Sequence, residues 1–284
     1  MDAEQQYHTV LAIAGFDGSG GAGIPADIKT ISALGCYATS VLTALPVQNT
    51  LGVQALHAIP PEVVVKQLDA LLTDIPPQAI KMGMVHTKAI VSALTKRLEA
   101  HTKVSLVLDP VMVSSSGHQL MEKSAIQAMI TKLFPLTHIL TPNLDEASLL
   151  AKMPIKTIDD MLQAGQKIKD LGCQSVLLKG GHLKGNTLTT IYFASDGQQH
   201  TYSFPKIETP NAHGTGCTLS SAIAAYLARG ENELSAITKA QHYVYQALLQ
   251  GKDVAIGKGK GPLNHFFDPE KTIKRKAESG KQGN

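Results

Sequence analysis

Cysteine is scarce in this sequence, with three residues in a chain of 284. Cys36, Cys173 and Cys217 are odd in number, widely spaced and without the spacing of metal ligands. This excludes a disulfide scaffold, argues against structural zinc, and is typical of a reducing cytosol. No apolar run is long enough to span a membrane, and Met1 to His8 lack the basic start and apolar core of a secretory signal. We therefore expect a soluble cytoplasmic protein with no membrane partner.

Net charge is also low, at +3. All of it comes from the C-terminal end, because five cations and two acids follow position 269. The rest of the chain is formally neutral, which argues against a nucleic-acid partner. Hydrophobic residues make up 43% and charged residues 17%, the balance of a chain with a large buried core. We predict one domain over residues 1–269 and a basic, disordered tail over 270–284.

Two common nucleotide-binding signatures are incomplete or missing. Gly18, Gly20 and Gly23 match the G-x-G-x-x-G pattern of dinucleotide-binding proteins and follow a short predicted strand. That pattern needs an acid about 20 residues later to hold the ribose, whereas no acidic residue occurs between Asp27 and Glu62. No G-x-x-x-x-G-K-[ST] run occurs anywhere, which excludes a P-loop. The glycines are therefore expected to let the backbone approach a small ligand or another loop.

Predicted strands and helices alternate through most of the chain. This alternation predicts an α/β fold with a mainly parallel sheet and helices on both faces. The carboxyl ends of parallel strands meet at one edge, where open α/β folds bind ligands. Polar segments follow these predicted strand ends or begin a helix: residues 15–23, Gln48, Asp109, Asn143 with Glu146, Lys179 and the loop at Gly214. We expect these segments to converge on one site.

The most informative stretch is Asn211-Ala212-His213-Gly214-Thr215-Gly216-Cys217-Thr218, which leads into an apolar helix. The first N–H groups of a helix are unpaired and lie at the positive end of its dipole, so they bind anions. Two glycines would let the backbone close on a ligand, and Cys217 falls on the first turn. The dipole and any nearby cation would lower the pKa of this thiol, which suits a base for a substrate hydroxyl. The alternative is a capped helix with a buried cysteine.

Other positions also allow both a functional and a structural interpretation. Gln48 offers a primary amide for the edge of an aminated heterocycle, or it is a turn residue. Met84 is core filler or an apolar wall for a flat ring. Asp109 follows a buried strand, where it could orient magnesium-bound water or phosphate, or it is a turn acid before proline. The small polar run Val113 to His118 has the composition of a mobile flap.

Together these residue types are the parts that phosphoryl transfer needs. Carboxylates suit magnesium, a lysine suits phosphates, a helix start suits the transferred group, and a weak base suits the accepting hydroxyl. Matching segments then occur in order along nearly the whole chain: residues 15–23, 26–30, 48–50, 81–84, 109–112, 141–143, 179–182, 213–218 and 261–266. In these segments the sequence resembles the hydroxymethylpyrimidine/phosphomethylpyrimidine kinases of thiamine biosynthesis, within the ribokinase-like superfamily.

The resemblance implies a ribokinase-like three-layer sandwich, ATP as phosphoryl donor and Mg²⁺ as cofactor, and we also expect a homodimer. It implies that Cys217 stands where most ribokinase-like enzymes carry an aspartate base. The implied anion hole and catalytic set are Gly214, Gly216 and Cys217 with Lys179. The implied pyrimidine pocket is Gly15, Asp27, Gln48 and Met84. Magnesium and phosphates would be held by Asp109 and Glu146, and ATP by Asn143, Lys179 and Thr215.

Two alternatives to this assignment stay open at this point. A pyridoxal or pyridoxine kinase phosphorylates a similar hydroxymethyl ring, but residues 48–50 favour the pyrimidine. Ser114 also stands where such pyridoxal kinases tend to have a second cysteine. A ligand-binding regulator that has lost catalysis is the other alternative, although every position that carries the chemistry is intact. The chain departs from the usual family pattern at Phe16, Pro25, Pro46, Lys258 and Lys260, of which Phe16 and Pro46 bear on pocket shape.

Overall fold

The computed structural model describes residues 5–113, 120–181, 183 and 185–276. Its strands are β1 Gln5–Tyr7, β2 Thr9–Ala14, β3 Tyr37–Leu42, β4 Ala44–Asn49, β5 Gly52–Ala58, β6 Ala79–Met82, β7 Ser105–Leu108, β8 Ile139–Leu140, β9 Ser175–Lys179, β10 Thr187–Phe193, β11 Gln199–Pro205 and β12 Lys274–Lys276. Its α-helices are α1 Gly23–Ala33, α2 Pro61–Asp74, α3 Lys88–Leu98, α4 Lys123–Ala128, α5 Leu144–Ala151, α6 Ile158–Lys169, α7 Thr215–Ala228 and α8 Glu233–Gly251.

The centre of the fold is an eight-stranded sheet in the order β11-β10-β9-β8-β7-β6-β2-β3. From β9 to β3 all neighbouring strands are parallel, and β10 and β11 extend the sheet as an antiparallel hairpin. The predicted mainly parallel sheet is confirmed. Because the parallel strands share one direction, their carboxyl ends lie along one edge.

Helices cover both faces of this sheet, as predicted. The alternation along β2 shows why: Leu11 and Ile13 pack with the core that α2 to α6 close, whereas Val10, Ala12 and Ala14 pack with α1, α7 and α8. Successive side chains of a strand point to opposite faces, so a strand covered on both sides is apolar throughout. Helix α7 is built almost entirely of small or apolar residues because it lies between the sheet and α8.

A separate two-stranded sheet, β4 with β5, stands apart from the main sheet. The sequence predicted β5 as a strand but placed Gln48 at the end of β3, in a loop. Gln48 lies instead on β4, next to an irregularity of register between Val47 and Gln48. Such a bulge turns the side chains that follow it. Leu45, Val47 and Leu51 are exposed on this hairpin. Because these apolar residues face solvent, the sequence pattern did not indicate that β4 is a strand.

Two predictions concern the ends and loops of the chain. The disordered tail predicted from position 270 was wrong for its first part, since β12 pairs antiparallel with β1. Backbone bonds from Glu270 to Ala33 and from Ile273 to Gly35 hold this segment against the end of α1. Residues 277–284 lie outside the described residues, as do residues 114–118 of the predicted flap and the site position His182.

Candidate active site

Two glycine loops meet at the carboxyl edge of the sheet. Gly214 adopts the left-handed conformation, φ 84°, and a Cβ atom there would lie 1.8 Å from the carbonyl oxygen of Gly21. The loops are also joined by a hydrogen bond of 2.7 Å from His213 Nε2 to Asp17 Oδ2. Asp17 is nearly buried and accepts further bonds from the backbone of Ser19 and Ala22. The glycine loop at residues 15–23 thus packs against the loop at residues 211–218, one of the two uses predicted for its glycines.

Helix α7 begins at this junction. Gly214 is its N-cap residue, and the Thr215 hydroxyl donates to the carbonyl of Ala212 at 2.6 Å, which closes the turn. The Thr218 hydroxyl bonds back to the carbonyl of Gly214 and contacts His265 Nε2 at 3.1 Å. A helix of 14 residues that begins in a glycine turn presents its first N–H groups and its dipole to an anion.

An ion pair lies directly against the first turn of α7. Lys179, the last residue of β9, donates to Asp109 Oδ1 at 3.0 Å. A Cβ atom at Gly216 would lie 3.1 Å from Lys179 Nζ and 3.2 Å from Asp109 Oδ2, so a side chain there would press on both charged groups. Thr141, beyond β8, also donates to Asp109 at 3.2 Å. The predicted convergence of strand ends therefore brings Asp109, Lys179 and Gly216 together.

Glu146 is the second carboxylate at this edge. Asn143 caps α5 by accepting from the Glu146 N–H at 2.9 Å, and the Glu146 carboxylate accepts from the Asn143 N–H at 2.8 Å. This capping box fixes both residues, and the sequence analysis did not predict the helix that it begins. Burial raises the pKa of Glu146 to about 7, and the charge of Lys179 opposes that rise. Burial likewise disfavours a charged Lys179, but Asp109 and Glu146 hold its pKa above the ordinary value.

Cys217 is half-buried on the first turn of α7. Burial raises the pKa of its thiol to about 11, against the opposing effects of the Lys81 charge and a hydrogen bond from the Gly23 backbone. The sequence predicted a lowered pKa from the helix dipole and a nearby cation. The prediction was wrong for the ligand-free protein because desolvation and the charges of Asp27 and Asp109 outweigh those effects.

Asp27 lies beneath the site. It is fully buried on α1, and both of its carboxylate oxygens accept from Lys81 Nζ, at 2.8 and 2.9 Å. Ser221 donates to the same carboxylate at 2.8 Å. A direct contact between Asp27 and a pyrimidine therefore stays a prediction, while its contact with Lys81 is what the structure describes.

Three residues predicted to hold the pyrimidine, Gly15, Gln48 and Met84, lie beside the two glycine loops. A Cβ atom at Gly15 would lie 2.4 Å from Met84 Cε, so the methionine packs on the backbone there. Gln48 Nε2 is 3.4 Å from His213 Nε2. Because that histidine nitrogen donates to Asp17, the oxygen of the Gln48 amide is the atom suited to face it. His213 therefore lies next to the amide that is predicted to contact the substrate.

The sequence analysis missed three residues that organise the site: Asp17, Lys81 and His213. Asp17 and His213 stand inside the two glycine motifs, but nothing in the sequence pairs positions so far apart. Lys81 stands in an otherwise apolar strand, and a lysine within such a strand is the signal that could have found it. Among the described residues there is no group of three or more His, Cys, Asp or Glu side chains arranged to hold a metal.

Comparison with known proteins decides the family. The family model described as phosphomethylpyrimidine kinase matches residues 17–264. The chain belongs to this family. The predicted family and the predicted class of enzyme, a phosphotransferase, are confirmed, and the matched range contains every predicted site residue except Gly15.

Curated relatives agree with this family. A hydroxymethylpyrimidine/phosphomethylpyrimidine kinase of Salmonella typhimurium is 43% identical, over 92% of this chain and 98% of its own length. A thiamine biosynthesis bifunctional protein of Geobacter sulfurreducens is 42% identical over 92% of this chain, which spans 53% of that longer protein.

Solved structures confirm the predicted ribokinase-like α/β fold. The phosphomethylpyrimidine kinase of Clostridium difficile is 40% identical and covers 84% of this chain and 99% of its own, with a TM-score of 0.75. The pyridoxal kinase of Bacillus subtilis, solved with ADP, is 33% identical and covers 92% and 98%, with a TM-score of 0.83. Both kinds of kinase in the sequence analysis thus share this fold, and identity is higher to the phosphomethylpyrimidine kinase. In the described part of the chain, no helix is both long and apolar enough to cross a membrane.

Proposed function

We propose that this chain transfers the γ-phosphoryl group of ATP to the hydroxymethyl oxygen of 4-amino-5-hydroxymethyl-2-methylpyrimidine. We further propose that it phosphorylates the resulting monophosphate to the diphosphate, as a cytoplasmic enzyme of thiamine biosynthesis. The observation that carries the proposal is the contact of the α7 start with the Lys179–Asp109 pair, with Cys217 on the same turn. Backbone N–H groups, a lysine and carboxylates at one point are what a migrating phosphoryl group requires.

Each group at the edge has a proposed role. The N–H groups of Gly214, Gly216 and Cys217 receive the charge of the transferred phosphoryl oxygens, and Thr215 lies at the same turn. Lys179 and Asn143 serve the ATP phosphates. Cys217 accepts the hydroxyl proton as the substrate oxygen forms its bond to phosphorus and the bond to the ADP oxygen breaks. Gly15, Gln48 and Met84 hold the pyrimidine ring.

Mg²⁺ fits the two carboxylates. Magnesium in kinases is bound by one or two carboxylates together with substrate phosphates and waters, so a complete protein cage is not required. Asp109 and Glu146 are oxygen donors, both nearly buried, and both face Lys179. We propose that Asp109 and Glu146 would hold Mg²⁺ that arrives with ATP, and the ion would supply charge neutralisation for the phosphates.

One substrate panel tests the proposed function. The protein is incubated with Mg-ATP and, separately, hydroxymethylpyrimidine, its monophosphate, pyridoxal, pyridoxine and ribose, and phosphorylated product is measured. The pyrimidine is expected to react with the highest kcat/KM, and product from the monophosphate would establish the second step. Preference for the pyridines would support the alternative of vitamin B6 salvage, for which the similarity to pyridoxal kinase structures is the argument. Absence of turnover with every substrate would favour a binding protein without catalysis.

We also propose a homodimer. Leu45, Val47 and Leu51 are 44%, 47% and 67% exposed on the β4–β5 hairpin, which is unusual for large apolar side chains grouped on one element. Light scattering at micromolar concentration tests the proposal, and a monomeric mass would reject it.

A further inference from the structure

A lysine lies fully buried beneath the candidate active site. Lys81, on β6, and Asp27, on α1, both have 0% of their side-chain surface exposed. Three donated hydrogen bonds satisfy the Asp27 carboxylate: two from Lys81 Nζ and one from the Ser221 hydroxyl. Burying two charges in a protein core is expensive, and apolar residues of similar volume often serve stability as well or better. Stability alone therefore does not explain why a buried ion pair is present at this position.

The position of the pair supplies an explanation. Ser221 and Cys217 are four residues apart on α7, so they lie on the same face of that helix, one turn from each other. Ser221 donates to Asp27 from this face of α7. Cys217 lies one turn closer to the N-terminus of the helix, which is the end at the site. A Cβ atom at Gly83 would lie 2.9 Å from Lys81 Nζ, which puts the ammonium under the backbone that leads to Met84. The ammonium thus lies between Asp27 and the backbone at Gly83, and Ser221 joins Asp27 to the helix that carries Cys217.

Four charged groups act on the Cys217 thiol. Lys81 of β6 and Lys179 of β9 are positive, whereas Asp27 of α1 and Asp109 beyond β7 are negative. Lys179 already donates to Asp109 at the edge that faces phosphates. Of the two cations that act on the thiol, Lys81 is therefore the fully buried one, since Lys179 is 17% exposed.

We infer that Lys81, held in place by Asp27 and Ser221, is a positioning residue that stabilises the thiolate of Cys217. The inference rests on the proposed function, in which Cys217 is the base. In that step the thiolate sulfur takes the proton of the substrate hydroxyl, the O–H bond breaks and an S–H bond forms. The oxygen then attacks the γ-phosphorus and ADP leaves. Lys81 stays protonated throughout, and its charge offsets that of the thiolate before the proton arrives.

The direct test is the chemical reactivity of Cys217 in a variant that lacks both charges. Lys81→Met with Asp27→Asn removes the ion pair without leaving one charge buried alone. In the ligand-free full-length protein, alkylation of Cys217 by iodoacetamide at a fixed mildly alkaline pH is expected to slow by about fivefold, because loss of the Lys81 charge, which favours the thiolate, is only partly offset by loss of the weaker opposing effect of Asp27. Mass spectrometry of the Cys217 peptide separates it from Cys36 and Cys173, which are buried.

Activity and folding complete that test. Circular dichroism and thermal unfolding establish that the double variant is folded. Its kcat is expected to fall by about fivefold, in step with the alkylation rate, with the KM for ATP unchanged, since the phosphate-binding edge is intact. A folded double variant whose Cys217 is alkylated at the wild-type rate would overturn the inference. The alkylation readout does not depend on turnover, so active Cys217→Ala would reject the proposed base separately.

A milder pair of variants answers the question if the double variant does not fold. Ser221→Ala removes one donor from Asp27, whereas Ser220→Ala removes a hydroxyl that bonds only to carbonyls of its own helix, those of Gly216 and Cys217. Both serines are fully buried and adjacent on α7. Ser221→Ala leaves Asp27 more dependent on Lys81, and alkylation of Cys217 is expected to slow by about threefold. Equal alkylation rates in the two alanine variants would contradict the inference.

Discussion

The two lysine–carboxylate pairs of this molecule have the same chemistry at different depths. The Lys81–Asp27 pair has no exposed surface, and the Asp27 carboxylate is enclosed by hydrogen bonds. In the Lys179–Asp109 pair the lysine is 17% exposed and the aspartate 3%, and the first turn of α7 lies against both side chains. The sealed pair presents no surface to a ligand in this structure, whereas the second pair is partly exposed beside a helix start. The degree of burial, more than the residue type, therefore distinguishes the charged groups that support the site from those that are accessible to a ligand.

The largest expected effect comes from breaking each pair by the same substitution. Lys81→Met leaves a fully buried Asp27 with its charge unpaired, which should lower the free energy of unfolding by about 3–5 kcal/mol. Lys179→Met leaves Asp109 at an open edge with Thr141, so its loss of stability should be much smaller while kcat falls by about 100-fold or more. Urea unfolding and steady-state kinetics on both variants make the comparison. Equal destabilisation by the two substitutions would show that the open pair is structural as well.

The second prediction concerns the residue between the pairs. Cys217→Ala is expected to leave the fold intact and to lower kcat by about 100-fold or more, the usual scale for loss of a general base. Burial raises the pKa of this thiol to about 11, so the thiolate is a minor species at neutral pH. The rate should therefore rise with pH in the wild type as long as the thiol is being deprotonated. Near wild-type kcat in Cys217→Ala would mean that the thiol only fills space.

The sequence predicted the residues of one lysine–carboxylate pair, Lys179 with Asp109, but not the pairing of Lys81 with Asp27. Asp109 and Lys179 were predicted because each follows a strand, and strand ends of a parallel sheet meet at one edge. Asp27 was predicted only through a family resemblance, and its partner Lys81 was missed. An ion pair inside the core joins distant positions through tertiary packing, which has no periodic signal in the sequence. The hydrogen bond between Asp17 and His213 was missed for the same reason, because it also joins positions far apart in the sequence.

Departures in the fold have a similar cause. The alternation of strands and helices fixes the sheet and its two covered faces, because burial on both sides requires apolar strands. Strand β4 escaped prediction because it lies outside the main sheet and keeps apolar residues exposed. Strand β12 escaped because three basic residues in a row resemble a solvated tail, and its pairing with β1 depends on a neighbour at the other end of the chain.

The third prediction moves from charges to specificity. Gln48→Leu should keep the phosphate-binding edge and lose kcat/KM for hydroxymethylpyrimidine more than for pyridoxine. When a buried polar group of the site or the substrate loses its hydrogen-bond partner, binding is weakened by about 1–3 kcal/mol for each such group. In this variant His213 should lose its contact with the Gln48 amide and keep its hydrogen bond to Asp17. Competition assays with both substrates provide the measurement, and an equal fall for the two rings would reject the role of Gln48.

The smallest expected effect belongs to a third charged contact, Asp17 with His213, which joins the two glycine loops. Burial raises the pKa of Asp17, but hydrogen bonds from His213 and Ser19 prevail and hold it below the ordinary value of 3.8. A carboxyl whose pKa is lowered in the folded state binds fewer protons there than in the unfolded chain, so stability rises with pH through that window. The stabilisation is complete above the unfolded pKa and is lost as pH falls through the folded pKa.

Asp17→Asn should therefore reduce the free energy of unfolding by about 1.5–3 kcal/mol near neutral pH, the value of a hydrogen bond to a charged group. The difference from the wild type should shrink as pH falls below 3.8, where the wild-type carboxyl also becomes neutral. Urea unfolding between about pH 3 and pH 7 measures this difference. Asp69→Asn is the matched control, because Asp69 pairs with Arg97 where both are more than 40% exposed and the expected effect is small. A difference for Asp17→Asn that stayed constant down to pH 3 would show that the bond stabilises the loops without its charge, through the geometry of its acceptor alone.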